Sequence, residues 1–255
     1  AYSYAWMIIF AVIAAIMVLI GLYHIRMLPS NQIPSTTKKT TSEVGRELVA
    51  VIANFFTKKH IFYYICFIIL YRLAEGFIMK IAPLFLRASR EVGGLGLSLK
   101  EIGTLNGVFG SAAFVLGSLL AGIYVSKFGL KRSLFFLCCI FNLPFVAYTF
   151  LAVTQPTNVY LIGTCITMEY FGYGFGFVGL TLFMMQQIAP GKHQMSHYAF
   201  ASGIMNLGVM LPGMVSGYFS DLLGYRNFFI YVLIATIPAF LITYFIPFTY
   251  DDSKK

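Results

Sequence analysis

The sequence predicts an all-α membrane protein with seven transmembrane helices. The mean hydropathy is +0.80, 59% of the 255 residues are apolar and only 11% are charged, which is too apolar for a soluble domain of this length. Apolar stretches repeatedly reach the ~20 residues needed to cross ~30 Å of hydrocarbon. Each must satisfy its own backbone polar groups in lipid, so each is predicted to be helical.

The predicted spans are residues 5–23, 61–86, 102–125, 133–153, 159–188, 198–220 and 227–250. The first span lacks a basic leader and a small-residue cleavage site, so it does not resemble a signal peptide. We therefore predict three parts. Residues 1–27 form a helix from the preceding part of a longer protein, 28–60 form a cytoplasmic linker, and 61–255 form a six-helix bundle.

Basic residues are concentrated on one side of the predicted spans, and this sets the expected orientation. One side holds four of them, and the other holds twelve: Arg26, Lys38, Lys39, Arg46, Lys58, Lys59, Lys127, Lys131, Arg132, Lys192, Lys254 and Lys255. The positive-inside rule then places the linker and the C-terminus in the cytoplasm. The net charge of +9 reflects topology, and no nucleic-acid partner is expected.

The second part of the linker predicts an amphipathic helix. Residues 43–59 carry apolar side chains at helical spacing, including Leu48, Ile52 and Phe55, among charged residues. This pattern favours a helix lying on the cytoplasmic leaflet, and a helix docked on the protein is the alternative.

A repeated element closes the second helix of each predicted three-helix unit. Its two copies comprise Gly122, Lys127, Gly129, Lys131 and Arg132, and Gly217, Asp221, Gly224 and Arg226. The charge bias puts the copies on opposite sides, as in the inverted repeats of many secondary transporters. The alternative is a chance similarity between two tight membrane turns.

Ionisable side chains lie within two predicted spans. Arg72 and Glu75 are three residues apart and share a helix face, while Glu169 is alone in an apolar stretch. Charges inside a membrane usually face a cavity or a partner. Glu75 and Glu169 lie about 15 Å from the same predicted surface, at ~1.5 Å per residue. Arg72 is expected to hold an anion or pair with a carboxylate, and Glu75 or Glu169 to be the protonatable group. A static ion pair is the alternative for Arg72 and Glu75.

Several local patterns add detail to these spans. Tyr170 and Tyr173 are candidates to line a sugar-binding cavity beside Glu169. Ser98 and Glu101 form a capping box that places a helix start near Leu99. A face of small residues on the third span predicts close helix packing: Gly103, Gly107, Gly110, Gly117 and Ala121.

Enzyme motifs are absent from the sequence. No hydrolase, P-loop or dinucleotide pattern occurs, so we expect no enzyme activity, cofactor or metal. The missing P-loop does not exclude an ABC permease with a separate ATPase. His193 and His197 have metal-compatible spacing but no further ligands, so solvated loop histidines are expected.

At this point a family resemblance emerges. Residues 122–132 resemble the major facilitator loop motif G-x-x-x-D-[RK]-x-G-[RK]-[RK], with Ser126 in place of its Asp. The segments L-Y-R-L-A-E at 70–75, P-L-F-L at 83–86 and G-L-S-L-K-E-I-G at 96–103 resemble AmpG-type muropeptide permeases and related acetyl-CoA transporters. So do Glu169 with the glycines after it, residues 196–200 and residues 213–229.

The resemblance implies the C-terminal bundle of a major facilitator transporter with a 3+3 inverted repeat, in the bacterial inner membrane. It implies proton-coupled import of anhydromuropeptides for cell-wall recycling by alternating access, with the loop motif acting in the conformational switch. Implied partners are the solute, protons, lipid and a missing N-terminal helical bundle. A carrier of another anionic or sugar-like solute is the first alternative. A membrane-embedded scaffold, sensor or enzyme is less favoured.

Overall fold

The computed structural model describes residues 2–27 and 40–250, and this part of the chain is helical with no strand. Residues 28–39 and 251–255, which include most of the predicted flexible linker and four of the counted lysines, lie outside the described residues. The chain divides into two units, Ala1–Arg46 and Glu47–Lys255. The first contains helix α1, and the second contains all the spans after it.

The helices are α1 (Tyr2–Met27), α2 (Thr41–Phe56), α3 (Ile61–Tyr71), α4 (Leu73–Arg87), α5 (Leu99–Thr104), α6 (Ser111–Phe128), α7 (Leu130–Asn142), α8 (Phe145–Thr154), α9 (Val159–Phe183), α10 (Gln194–Ala235) and α11 (Ile237–Tyr244). A π-helical turn, Leu105–Gly110, joins α5 to α6, and a second one, Met184–Ile188, extends α9. Ser98 caps α5 with both hydrogen bonds of the predicted capping box in place.

Five helices in the described ranges are long and apolar enough to cross a membrane: Ser3–Met27, Ile61–Arg87, Leu99–Phe128, Leu130–Thr154 and Gln194–Tyr244. The last has 51 residues, and Gly224 interrupts it with a non-helical backbone conformation, so it contains two helices. Helix α9 has 25 residues but is not among the five, because Glu169 and several Gly and Tyr residues lower its hydropathy. The prediction of an all-α membrane protein is confirmed at the level of class, whereas the count of seven spans stays a prediction.

Helix α9 packs against several other helices of the second unit. It packs against α6 on one side and against α7 and α8 on another, while α4 packs against α10 and α11 packs against α3 and α7. The hydroxyl of Tyr71 on α3 donates to the carbonyl of Gly176 on α9 at 3.0 Å. The bundle is therefore held together by contacts between helices that are distant in the sequence.

Glycines permit the close approach of α6 and α9. A Cβ atom at Gly117 would collide with the backbone of Phe171, and one at Gly174 would collide with the backbone of Phe114. Two other glycines of the predicted small-residue face, Gly103 and Gly107, have no neighbouring atom within 4 Å of a Cβ position. Only the later part of that face makes tight helix contacts.

Candidate functional site

Arg72 lies at a break between α3 and α4, where its backbone leaves the helical conformation with φ −103° and ψ 6°. Its guanidinium forms a buried, bidentate ion pair with Glu75. Nε donates to Oε2 at 2.6 Å and Nη2 donates to Oε1, and the two residues are 4% and 5% exposed. Glu75 occupies the first turn of α4, where the helix dipole favours a negative charge.

The same guanidinium contacts α9. Nη2 lies 3.4 Å from the hydroxyl oxygen of Tyr173, and Cζ lies 5.5 Å from the centre of the Phe177 ring. Arg72 was expected either to hold an anion or to pair with a carboxylate, and in the structure it pairs with the carboxylate of Glu75. Glu75 occupies the Nε–Nη2 edge of the guanidinium, so the positive charge of Arg72 is already paired in this conformation.

A cavity of about 150 Å³ brings the two acidic side chains together inside the bundle. Its wall includes Glu75 from α4 and Glu169, Tyr170 and Tyr173 from α9. Four of the five candidate pathway residues therefore share one cavity, and the fifth, Arg72, lies directly behind Glu75. The equal depth in the membrane expected for Glu75 and Glu169 stays a prediction.

Glu169 differs from Glu75 in having no partner. Its side chain is half-buried, and in the described part of the chain its carboxylate makes no hydrogen bond or ion pair. Tyr173 follows it by one helical turn, so both side chains emerge on the same face of α9. The cavity thus contains one compensated carboxylate and one uncompensated carboxylate.

Sequence reasoning missed two polar residues of the cavity wall, Asn106 and Tyr148. Asn106 lies in the π-helical turn between α5 and α6, and its Oδ1 is buried without a hydrogen-bond partner. Such turns often occur at functional sites. Tyr148 is buried on α8, with its ring stacked on Phe229 at 5.5 Å. A single amide in an otherwise apolar span was the available signal for Asn106.

The residues of the repeated element lie outside this cavity. Gly129 separates α6 from α7 with φ 75° and ψ 152°, and Gly224 interrupts α10 with φ 68° and ψ 160°. The charged members of the element are exposed: Lys127, Lys131, Arg132, Asp221 and Arg226. A second cavity, of about 610 Å³, is lined by Gly122, Lys127, Gly129 and Arg132 among others.

A polar cluster joins residues just after α2 to the end of α9. Lys58 Nζ donates to the carbonyl oxygens of Ile188 and, at 2.8 Å, Pro190. Burial lowers the pKa of Lys58 from its ordinary value of 10.5. His197 is fully buried, with Nε2 3.3 Å from the carbonyl oxygen of Val51. The expectation of a solvated loop histidine was wrong for His197, because α10 begins at Gln194 and Phe55 packs against the imidazole.

Comparison with known proteins gives relatives over most of the chain. The anhydromuropeptide permease of Escherichia coli K12 is 23% identical over 209 residues, which cover 82% of this chain and 41% of the permease. The putative transporter AmpG 1 of Rickettsia bellii is 25% identical over 228 residues, covering 89% and 53%. The putative transporter AmpG 2 of Rickettsia prowazekii is 27% identical over 204 residues, covering 78% and 47%. No family model matches the sequence.

These matches confirm the resemblance to AmpG-type permeases that the sequence predicted. The chain spans about half the length of the curated relatives it matches, which fits a C-terminal portion. The relatives are named as permeases and transporters, which points away from an enzyme. Together with the apolar helices, they support a multi-pass membrane protein.

Proposed function

We propose that this chain is the C-terminal six-helix bundle, with one preceding helix, of a proton-coupled major facilitator transporter that imports anhydromuropeptides. The observation that carries the proposal is the cavity holding Glu75 and Glu169 in a chain whose relatives include an anhydromuropeptide permease. Ionisable residues inside a membrane bundle mark solute or proton pathways by default.

The pattern of helix packing supports a 3+3 inverted repeat. If residues 61–154 and 159–244 are equivalent units, the contact of α6 with α9 corresponds to the contact of α10 with α4. The contact of α8 with α9 corresponds in the same way to that of α11 with α3. Transporters of this plan bind their solute near the membrane midplane at the interface between the repeats.

Within this plan the cavity residues receive separate roles. Glu169 is the protonatable group, since its carboxylate has no partner in the described residues, and Arg72 holds Glu75 in place. Tyr170 and Tyr173 contact the solute. The repeated element at Gly129 and Gly224 acts at the ends of the moving helices, outside the cavity.

The charge distribution supports an orientation in the bacterial inner membrane with the C-terminus in the cytoplasm. The missing N-terminal bundle completes the solute pathway in this proposal. A major facilitator carrier of another anionic or sugar-like solute is the alternative, because identities of 23–27% leave the substrate open.

The test is uptake of labelled anhydromuropeptide by the full-length parent protein in bacteria lacking their own permease. We expect accumulation that a protonophore abolishes. Glu169→Gln should lower accumulation to the level of protonophore-treated cells, because it removes the protonatable group while keeping the side-chain shape. Glu91→Gln is the matched control, since Glu91 is exposed in the turn after α4 and does not line the cavity.

Two results would contradict the proposal. A correctly inserted parent protein that takes up no anhydromuropeptide would remove the muropeptide assignment. A Glu169→Gln protein that inserts normally and still concentrates the solute against a gradient would remove the proton-coupling role of Glu169.

A further inference from the structure

We propose that His197 makes the docking of α2 on the bundle sensitive to pH, so that α2 is bound at neutral pH and released when the imidazole gains a proton. The contact joins the last part of α2, residues 47–56, to the first turn of α10, and both belong to the same compact unit. This role is separate from the proposed transport function and does not depend on it.

Buried aromatic side chains hold α2 against the start of α10. Phe55 is 1% exposed, and its ring packs edge-on against the His197 imidazole with the ring centres 5.6 Å apart. Phe200, three residues further along α10, contacts the Phe55 ring at 5.7 Å. The neighbours of Phe55 in the sequence, Asn54 and Phe56, are exposed. The docking contact is therefore narrow, and it depends on few side chains.

The hydrogen bonding of His197 fits a neutral ring. The imidazole is fully buried, and its Nε2 lies 3.3 Å from the carbonyl oxygen of Val51 on α2. That contact assigns the proton of the neutral ring to Nε2, which donates to the carbonyl. Nδ1 then carries a lone pair, and it is buried without a partner among the described residues. A proton on Nδ1 would create a buried charged donor with no acceptor, which costs more than an unpaired lone pair.

The charges around the ring also oppose a second positive charge. Lys58, from the segment after α2, and His193, whose ring centre is 5.9 Å from that of His197, both act on the imidazole in this sense. The Lys58 ammonium is held by the carbonyl oxygens of Ile188 and Pro190, so it cannot move away without losing these contacts. A proton on His197 would therefore place a buried positive charge beside a fixed one.

Proton linkage gives the direction and the size of the effect. A histidine that is released into water titrates near pH 6.5, whereas the docked ring is held neutral, so the undocked state binds more protons below that pH. The equilibrium constant for docking should therefore fall as the pH drops through about 6.5, by up to about tenfold per pH unit. Between pH 7.5 and pH 5.5 the expected fall is about tenfold.

The experiment is hydrogen exchange, measured by mass spectrometry on the purified full-length parent protein at pH 7.5 and pH 5.5. Rates are corrected for the intrinsic pH dependence of amide exchange. We expect protection factors in residues 47–56 to fall about tenfold, while those in α7 stay constant. His197→Gln should abolish the fall, because its amide keeps a donor for the Val51 carbonyl but does not titrate. His60→Gln is the matched control and should retain the fall, since His60 is exposed.

Four results would overturn this role of His197. Equal protection of residues 47–56 at the two pH values would show that no titrating group controls docking, and this result needs no variant if His197→Gln fails to fold. An equal fall in His197→Gln, or no fall in His60→Gln, would assign the titration to another group. A parallel loss of protection in α7 would indicate general acid destabilisation. Anhydromuropeptide uptake can succeed or fail without changing any of these outcomes.

Discussion

Gly129 and Gly224 adopt the same backbone conformation, with φ and ψ of 75° and 152° in one and 68° and 160° in the other. This region of backbone space is essentially restricted to glycine. The first residue separates α6 from α7, and the second separates the two halves of α10. The two copies of the sequence element therefore share a turn geometry as well as a residue pattern.

Alanine at either position should destabilise the protein. Gly129→Ala and Gly224→Ala each force a Cβ atom into a strained backbone conformation, at a cost of about 1–3 kcal/mol. Thermal unfolding of the full-length protein measures this loss. Gly122→Ala and Gly217→Ala are matched controls from the same elements, because both sites are helical and open. Equal losses at all four glycines would contradict the conformational argument.

Two adjacent phenylalanines follow each copy of the repeated element, and these two pairs differ in burial. Phe228 and Phe229 are fully buried, whereas Phe135 and Phe136 are each about 40% exposed. The paired phenylalanines in the two elements are therefore not structurally equivalent. A residue pattern close to a turn predicted the turn, but the register of the following helix depends on its packing partners.

Local sequence signals predicted local structure well. The helix start at Leu99 follows from the Ser98 cap. A proline within a span is expected to kink or break its helix, and Pro144 and Pro238 coincide with helix breaks. Pro83 and Pro212 instead lie inside continuous helices. The break at Arg72 carries no Pro or Gly signal in the sequence.

The composition of the cavity was only partly predictable. A charge in an apolar span identified Glu75 and Glu169, because such residues are costly in a membrane without a role. Asn106 was missed because a single amide costs less than a charge and gives a weaker sequence signal. The pairing of Arg72 with Glu75 could be expected from their spacing, whereas contact with Tyr173 required the packing of α4 near α9.

A double-mutant cycle separates the structural and functional roles of Arg72 and Glu75. Arg72→Met should destabilise the protein by about 3–5 kcal/mol, because it leaves the Glu75 charge buried and unpaired. Arg72→Met/Glu75→Gln should recover most of that loss, since no net charge remains. Thermal unfolding of the wild type, Arg72→Met, Glu75→Gln and the double variant completes the cycle.

Transport by the double variant then decides between the two interpretations of the pair. A stable double variant that no longer accumulates solute would indicate a role in the transport pathway. A stable double variant with wild-type transport would instead favour the static ion pair, and the proposed role of Arg72 and Glu75 would be abandoned.

The close approach of α6 and α9 should be sensitive to a single methyl group. Gly117→Ala places a Cβ atom against the backbone of Phe171, so we expect a loss of about 1–3 kcal/mol from overpacking. Gly107→Ala is the matched control on the same span, where the Cβ position is open. If Gly117→Ala and Gly107→Ala both unfold at the wild-type Tm, the two helices can separate without cost, which would contradict this prediction.

Lys58 should stabilise the junction between residues after α2 and the end of α9. Lys58→Met removes a charged donor from the carbonyls of Ile188 and Pro190, and we expect a loss of about 1 kcal/mol, discounted for partial exposure. Lys59→Met is the matched control, because Lys59 is an exposed neighbour. Equal Tm values for the two variants would contradict a stabilising role for the Lys58 contacts.

The pH dependence of the Tm in the wild type and in Lys58→Met tests the environment of Lys58. Burial holds the pKa of Lys58 below 10.5 in the folded protein, so the unfolded chain binds more protons just below that pH. The wild type should therefore gain stability relative to Lys58→Met as the pH rises from the folded-state pKa toward 10.5. Tm differences measured between pH 8 and pH 10 check this sign. A difference that shrinks with rising pH would mean that the charged form is favoured by folding, and the ammonium would then be held chiefly by its two carbonyl acceptors.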